Sequence, residues 1–187
     1  MTKLRVFVGI ELSDEIVRNA RGVVDELQQH GAIAKWVDPQ NLHLTLNFLG
    51  EVNETEVHEV CAAVIATTRG ILRFEWTCRG VGAFPNFNRP RTIWLGVQEG
   101  SEQTIALQHE LAQALDEIGF PKENRRFTPH ITLGRVRGKW NKELTEIVDG
   151  HKHFEAGRSA VNEVVVFSSH LSRSGPQYDV LSRAPLT

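Results

Sequence analysis

Two short stretches of this 187-residue chain carry the residues best suited to chemistry, and they are versions of one another. The first is Asn41-Leu42-His43-Leu44-Thr45-Leu46; the second is Thr128-Pro129-His130-Ile131-Thr132-Leu133. Each sets His-x-Thr in an apolar run. Successive side chains of a strand point to opposite faces, so each His shares a face with its Thr, while Leu44, Leu46, Ile131 and Leu133 take the other face. A single histidine on a strand is ordinarily a satisfied structural residue. Two copies of one arrangement point to a site with two-fold character.

Two imidazoles facing one cleft suit concerted proton transfer. Near neutral pH one acts as base on an attacking hydroxyl or water, and the other, protonated, donates to the leaving oxygen. Each role is worth about 10²- to 10⁴-fold in rate. Phosphodiester cleavage uses such a pair well, because the attacking and leaving oxygens lie on opposite sides of phosphorus. The hydroxyls of Thr45 and Thr132 are placed to donate to the non-bridging oxygens. The rival chemistries are weaker. Thr is a poor metal ligand and neither motif holds a nearby Asp, Glu or Cys, so no metal and no cofactor are expected. No Gly-x-Ser-x-Gly elbow and no phosphate-binding glycine loop occurs. The other six histidines, His30, His58, His109, His151, His153 and His170, are assigned structural or surface roles.

The composition is that of an ordinary globular protein, 41% hydrophobic and 24% charged. A formal net charge of -2 argues against non-specific nucleic-acid binding through bulk charge, although 21 lysines and arginines leave room for a local basic pocket. Cys61 and Cys78 make neither a metal spacing nor a disulfide framework, so a reducing cytoplasm is expected. No apolar run approaches the roughly 18 residues that mark a membrane span, and the N-terminus enters a strand pattern at once.

The surrounding elements repeat as the motifs do. Val6 to Ile10 is a buried strand, and Ser13 caps a helix whose apolar face is Ile16, Val17, Ala20, Val23, Val24 and Leu27, closed by Gly31. Ala34 to Val37 is a short extended piece before Asp38-Pro39 and the first His strand. Asn53 caps a second helix. The order then recurs: a strand at Thr92 to Val97, a helix capped by Ser101 and closed by Gly119, a short extended piece at Arg125-Arg126-Phe127, and the second His strand. Nearly the same number of residues separates Phe7 from His43 as separates Ile93 from His130. A further helix (142–148), a strand from Phe154, and a hairpin of 162–169 with 177–182 complete the chain. The expectation is an α+β protein: one bilobal, duplicated domain over residues 1–187, with two mixed or antiparallel sheets, outer helices and a central cleft related by a pseudo-two-fold axis.

With these residues in view, the chain resembles the two-histidine phosphoesterases. The tandem His43-Leu44-Thr45-Leu46 and His130-Ile131-Thr132-Leu133 carry the likeness. Phe7-Val8-Gly9-Ile10, Trp36-Val37, Asn47-Phe48-Leu49-Gly50, Arg89-Pro90-Arg91, Trp94-Leu95-Gly96 and Phe127-Thr128-Pro129 narrow it to the bacterial and archaeal RNA 2′,3′-cyclic phosphodiesterases, also called 2′-5′ RNA ligase-like proteins. The resemblance implies a positively charged cleft and metal-independent hydrolysis of a 2′,3′-cyclic phosphate RNA end to a 2′-phosphate. It implies His43 as proton donor to the departing O3′, His130 as proton acceptor from water, and Thr45 and Thr132 on the phosphate oxygens. On the residues alone, near symmetry leaves the acid and base labels open.

Around the motifs, Arg135 resembles a phosphate-contacting arginine. Strand parity places it opposite His130 and Thr132 unless Gly134 allows a bulge. Phe48 is read first as core, with stacking on the terminal base as its other reading, and Arg91, with Arg89, is a candidate for the RNA path. The expected partner is RNA ending in a 2′,3′-cyclic phosphate or a related nucleotide, bound by a monomer away from any membrane. Two other functions use the same surface: a phosphodiesterase or reversible ligase for 2′-5′ linked oligonucleotides, and a non-catalytic RNA-end binding module.

Overall fold

The computed structural model describes residues 2–172 and 175–187. In chain order the elements are β1 (Lys3–Glu11), α1 (Asp14–Gln29), β2 (Ala34–Trp36), a 3₁₀ turn (Pro39–Asn41), β3 (His43–Asn53), α2 (Glu54–Thr68), β4 (Phe74–Phe84), β5 (Thr92–Val97), α3 (Ser101–Glu117), β6 (His130–Val136), α4 (Lys142–Gly150), β7 (Glu155–Val161), β8 (Glu163–Ser172) and β9 (Gly175–Pro185).

Local chemistry sets the helix starts. The Ser13 hydroxyl accepts from the Ile16 amide at the head of α1, and Asn53 and Glu56 form a capping box on α2. At α3 the expected Ser101 cap is not what is found: Gly100 is the cap and Ser101 is the first helical residue. Gly100 has φ +77°, and a Cβ there would stand 2.4 Å from the Glu75 carbonyl oxygen. The position needs both left-handed backbone and an absent side chain, so glycine displaces the usual hydroxyl. The expected extended piece at Arg125-Arg126-Phe127 does not pair as a strand, whereas β2, its counterpart in the first copy, pairs with β6.

Among the described residues every strand pairing is antiparallel, in the order β7-β4-β5-β6-β3-β1-β8-β9, with β2 attached to β6. The order is symmetric about the seam between β6 and β3. Two halves of this nine-stranded sheet, four strands on the β3 side and five with β2 on the β6 side, meet there through one register pair, Leu44 with Ile131. Both side chains are fully buried and belong to a continuous core that takes apolar faces from all four helices. The lobes do not coincide with the chain halves. β4 follows α2 in sequence yet pairs with β5 and β7 in the second lobe, and β8 and β9 return to complete the first lobe beside β1.

His30 Nδ1 donates to Glu143 at 2.9 Å and His151 pairs with Glu26 at 3.1 Å, so these two histidines tie α1 to α4.

The seam carries the alignment of the two motifs, so its packing is measurable. Leu44→Ala should cost about 2–5 kcal/mol in urea unfolding, from lost transfer energy plus a residual cavity. A loss below about 1 kcal/mol would mean that the seam collapses freely and is not the rigid joint described.

Candidate active site

The two histidines are held in the same way. His43 Nδ1 donates to the carbonyl oxygen of Asn41 at 2.7 Å, and His130 Nδ1 donates to that of Thr128 at 2.7 Å. A carbonyl only accepts, so each bond keeps the proton on Nδ1 and leaves Nε2 as the nitrogen free to exchange a proton. The carbonyls are presented by the segments that enter each strand. Asn41 closes the 3₁₀ turn that Asp38 caps by accepting from the Gln40 amide. The Thr45 hydroxyl donates to His43 Nε2 at 2.9 Å, which places the shared face where strand parity put it.

The structure brings His43, Thr45, His130, Thr132, Arg135 and Phe48 into one cleft of about 1150 Å³. Arg135 arrives there by a bulge. Ile93 pairs with Gly134 but Trp94 pairs with Thr132, so β6 carries one extra residue and its parity reverses. A Cβ on Gly134 would lie 2.4 Å from the Trp36 ring, which is why glycine sits at the bulge. A matching shift in β3, where Val8 pairs with Asn47 and Gly9 with Thr45, turns Phe48 into the cleft. The reading of Phe48 as core is therefore corrected: it is 48% exposed, because the bulge takes it off the buried face. Arg91 does not join this group. It is exposed on the loop between β4 and β5, tied by its backbone to Phe84 and Val136, and neither it nor Arg89 lines the cleft.

Two residues here were not expected from sequence. Arg5 lies over the Phe48 ring at 5.2 Å and lines the cleft. Its signal was present in the alternation of Arg5 with Phe7, which puts both on the cleft face of β1. Tyr178, from β9, sets its ring edge-on to His43 at 5.3 Å, while Phe7 packs on His43 from 4.8 Å. A tail strand far along the chain gave no sequence sign of meeting His43. Among the described residues the other six histidines stay out of the cleft, and no cluster of three or more His, Cys, Asp or Glu is placed to hold a metal ion.

The cleft is cationic. Arg5, Arg21, Lys35, Arg135 and Arg137 face it against the carboxylates of Asp25 and Asp38. Burial pushes the His43 imidazole below its ordinary value, and the bond to Asn41 opposes this in part. Burial likewise holds the Tyr178 phenol up, with Arg135 and Arg5 pulling the other way. Tyr178 thus stays a protonated donor at neutral pH.

A sequence model of the family described as LigT like Phosphoesterase matches the chain twice, over residues 10–94 and 95–178. The chain belongs to that family. Each match contains one His-x-Thr copy, so the duplication seen in the elements is also the family's own repeat. An RNA 2′,3′-cyclic phosphodiesterase of Thermotoga maritima is 38% identical over 95% of this chain and 93% of its own. Among solved structures, TT0787 of Thermus thermophilus superposes with a TM-score of 0.80 at 27% identity, covering 98% of both chains. E. coli LigT complexed with 3′-AMP gives 0.78 at 26% identity over 100% of this chain and 99% of that one. The α+β bilobal architecture is that of this LigT-like family.

The lowered His43 value has a sign that can be checked. The unfolded chain binds the proton more readily than the folded one, so folding stability falls as pH drops from 6.5 through the lowered value, and the effect vanishes above 6.5. In an NMR titration His43 should titrate below 6.5 in the free protein and move up when inorganic phosphate enters the cleft. A free-protein midpoint at or above 6.5, or no response to phosphate, contradicts the burial account.

Proposed function

We propose that the chain hydrolyses RNA 2′,3′-cyclic phosphate ends to 2′-phosphates by two-histidine acid–base catalysis without a metal or other cofactor. The observation that carries this reading is the pair of Nε2 atoms offered to one cationic cleft by two strands, each imidazole locked by the same backbone hydrogen bond. The name carried by the relative from Thermotoga maritima supports the same substrate.

In the proposed step, a water loses its proton to His130 Nε2 as its oxygen bonds to phosphorus. The P–O3′ bond breaks, and O3′ takes a proton from His43 Nε2. Thr45 and Thr132 donate to the non-bridging oxygens while Arg135 and Arg5 hold their charge. The labels, His43 as donor and His130 as acceptor, are those the family resemblance implies. His43 sits between Phe7 and Tyr178, where burial makes its protonated form a strong donor once the phosphate has drawn a proton to it. His130 is half-buried, with Nδ1 bonded to Thr128 and the Phe84 ring edge-on at 5.1 Å, and it takes the acceptor role. Phe48 under Arg5 offers a face to the terminal base.

No helix among the described residues is long and apolar enough to cross a membrane. Cys61 and Cys78 are both free thiols, with Cys78 pushed up to about 12 by burial, which suits a reducing cytoplasm. The reading takes the protein as a monomer, acting over residues 1–187 as a single bilobal unit.

The test is product analysis on an RNA ending in a 2′,3′-cyclic phosphate. A 2′-phosphate is expected, with a bell-shaped pH profile and full activity in a chelator. His43→Ala and His130→Ala should each lower kcat by about 10²- to 10⁴-fold with the fold intact by circular dichroism. Wild-type turnover in either variant, a 3′-phosphate product, or loss of activity to the chelator sinks the mechanism. Turnover confined to 2′-5′ linked oligonucleotides would reassign the substrate.

A further inference from the structure

Each imidazole has one ring edge-on to it, Tyr178 for His43 and Phe84 for His130, but the pseudo-two-fold symmetry is broken in the space flanking the two motifs. One sequence offset relates His43 to His130, Phe7 to Trp94, Gly9 to Gly96 and Asn41 to Thr128. On the His43 side β9 occupies the space flanking the motif. The Asn41 amide donates to the Pro176 carbonyl at 2.8 Å, and the Tyr178 ring stands against His43. On the His130 side the equivalent residues, Trp94, Gly96 and Thr128, border a separate hollow of about 500 Å³. Gly96 is the register partner of His130, and Thr128 holds His130 Nδ1, so the hollow is bordered by the residues that hold the reactive imidazole.

Its chemistry is distinct from the cleft. Among the described residues its lining carries Arg79, Lys152 and His153 and no carboxylate. Arg79 donates through Nε to the His153 carbonyl at 3.3 Å and through Nη1 to Gln98 at 3.4 Å, which steadies the guanidinium and leaves its remaining N–H groups uncommitted in these bonds. Lys152 makes an exposed 3.7 Å contact with Asp149. The half-buried Trp94 indole lies across Gly82, where a Cβ would stand 2.2 Å from the ring, so an aromatic surface floors the approach from His130. Cations beside an aromatic plane are the features that hold a phosphodiester and its base. Antiparallel pairing at Leu44 and Ile131 also puts the Thr128 end of β6 beside the Phe48 end of β3. The hollow therefore lies at the same end of the cleft as the aromatic face offered to the terminal base.

We infer that this hollow is a subsite for the nucleotide on the 5′ side of the cyclic end, with Arg79 and Lys152 on its phosphodiester and Trp94 beside its base. The inference rests on the proposed RNA reading of the main cleft. It makes the enzyme an end-processor that distinguishes an RNA terminus from a free cyclic mononucleotide.

The experiment compares adenosine 2′,3′-cyclic phosphate with a trinucleotide ending in the same group. Wild type should show a lower KM for the trinucleotide. Arg79→Glu with Lys152→Glu should raise that KM roughly tenfold and flatten its salt dependence, with kcat and the mononucleotide constants unchanged. Arg79→Gln with Lys152→Gln should move the KM the same way by less, which guards against a folding defect in the charge-reversed pair. Equal KM for the two substrates in wild type, a loss shared by both substrates, or a larger effect from Arg21→Glu with Lys35→Glu at the other part of the cleft overturns the subsite. Binding of a 5′-labelled trinucleotide 2′-phosphate, followed by fluorescence anisotropy, is read alongside. If neither substrate turns over, the proposed activity has failed. Weakening of that binding in the charge-reversed pair still supports the subsite, and unchanged binding removes it.

Discussion

The site depends on one small interaction made twice: an imidazole Nδ1–H donated to the backbone carbonyl two residues before it. A backbone carbonyl cannot titrate, rotate away or change its sign as a donor, so the tautomer is fixed by a partner that is itself part of the chain. A side chain in that role would need support of its own. Here the support is the path by which the chain enters each strand, and the 3₁₀ turn at Pro39–Asn41 provides that path in the first copy. The bulges in β3 and β6 then decide which later side chains share the face. Imidazole, hydroxyl and the side chain beyond each bulge follow one another from a single strand with no loop required.

Much of this could be seen in the residue order. The apolar alternation placed His and Thr together, caps and stripes placed α1 and α2, and the recurrence of elements announced the duplication. Even the re-aiming of Arg135 was available, because a glycine between Leu133 and Arg135 is what a parity reversal requires. The same reasoning failed for Phe48. Asn47 occupies the corresponding bulge position in β3, and an asparagine there does not announce an irregular register as a glycine does. Ser101 misled because cap preference is local, while Gly100 answers to the backbone of Glu75 across the sheet. Tyr178 and the β4 crossover were hidden for a third reason: they depend on which strands become neighbours, and pairing partners are not encoded in any one segment's periodicity.

Duplication supplies two similar half-sites, but a working acid and base need different surroundings. The C-terminal hairpin creates that difference. It lays Tyr178 and Pro176 against the His43 half, where burial lowers the imidazole's affinity for a proton, while β4 sets Phe84 edge-on to His130. A nearly symmetric scaffold thus carries different side chains beside its two imidazoles, Tyr178 from β9 and Phe84 from β4.

The exchange of strands between lobes bears on how such a molecule comes into being. β1 precedes the other strands described, yet one of its two edges finds its partner only when β8 follows, seven strands later. Until then that edge is an open template for mispairing, and neither lobe has its full complement of strands. Contacts this distant in sequence favour slow, late assembly. The aromatic wall of His43 closes with β9, which comes later still than β8. A chain lacking that strand carries both histidines but not the Tyr178 ring beside His43, so the surroundings of His43 are completed only after both motifs have been made.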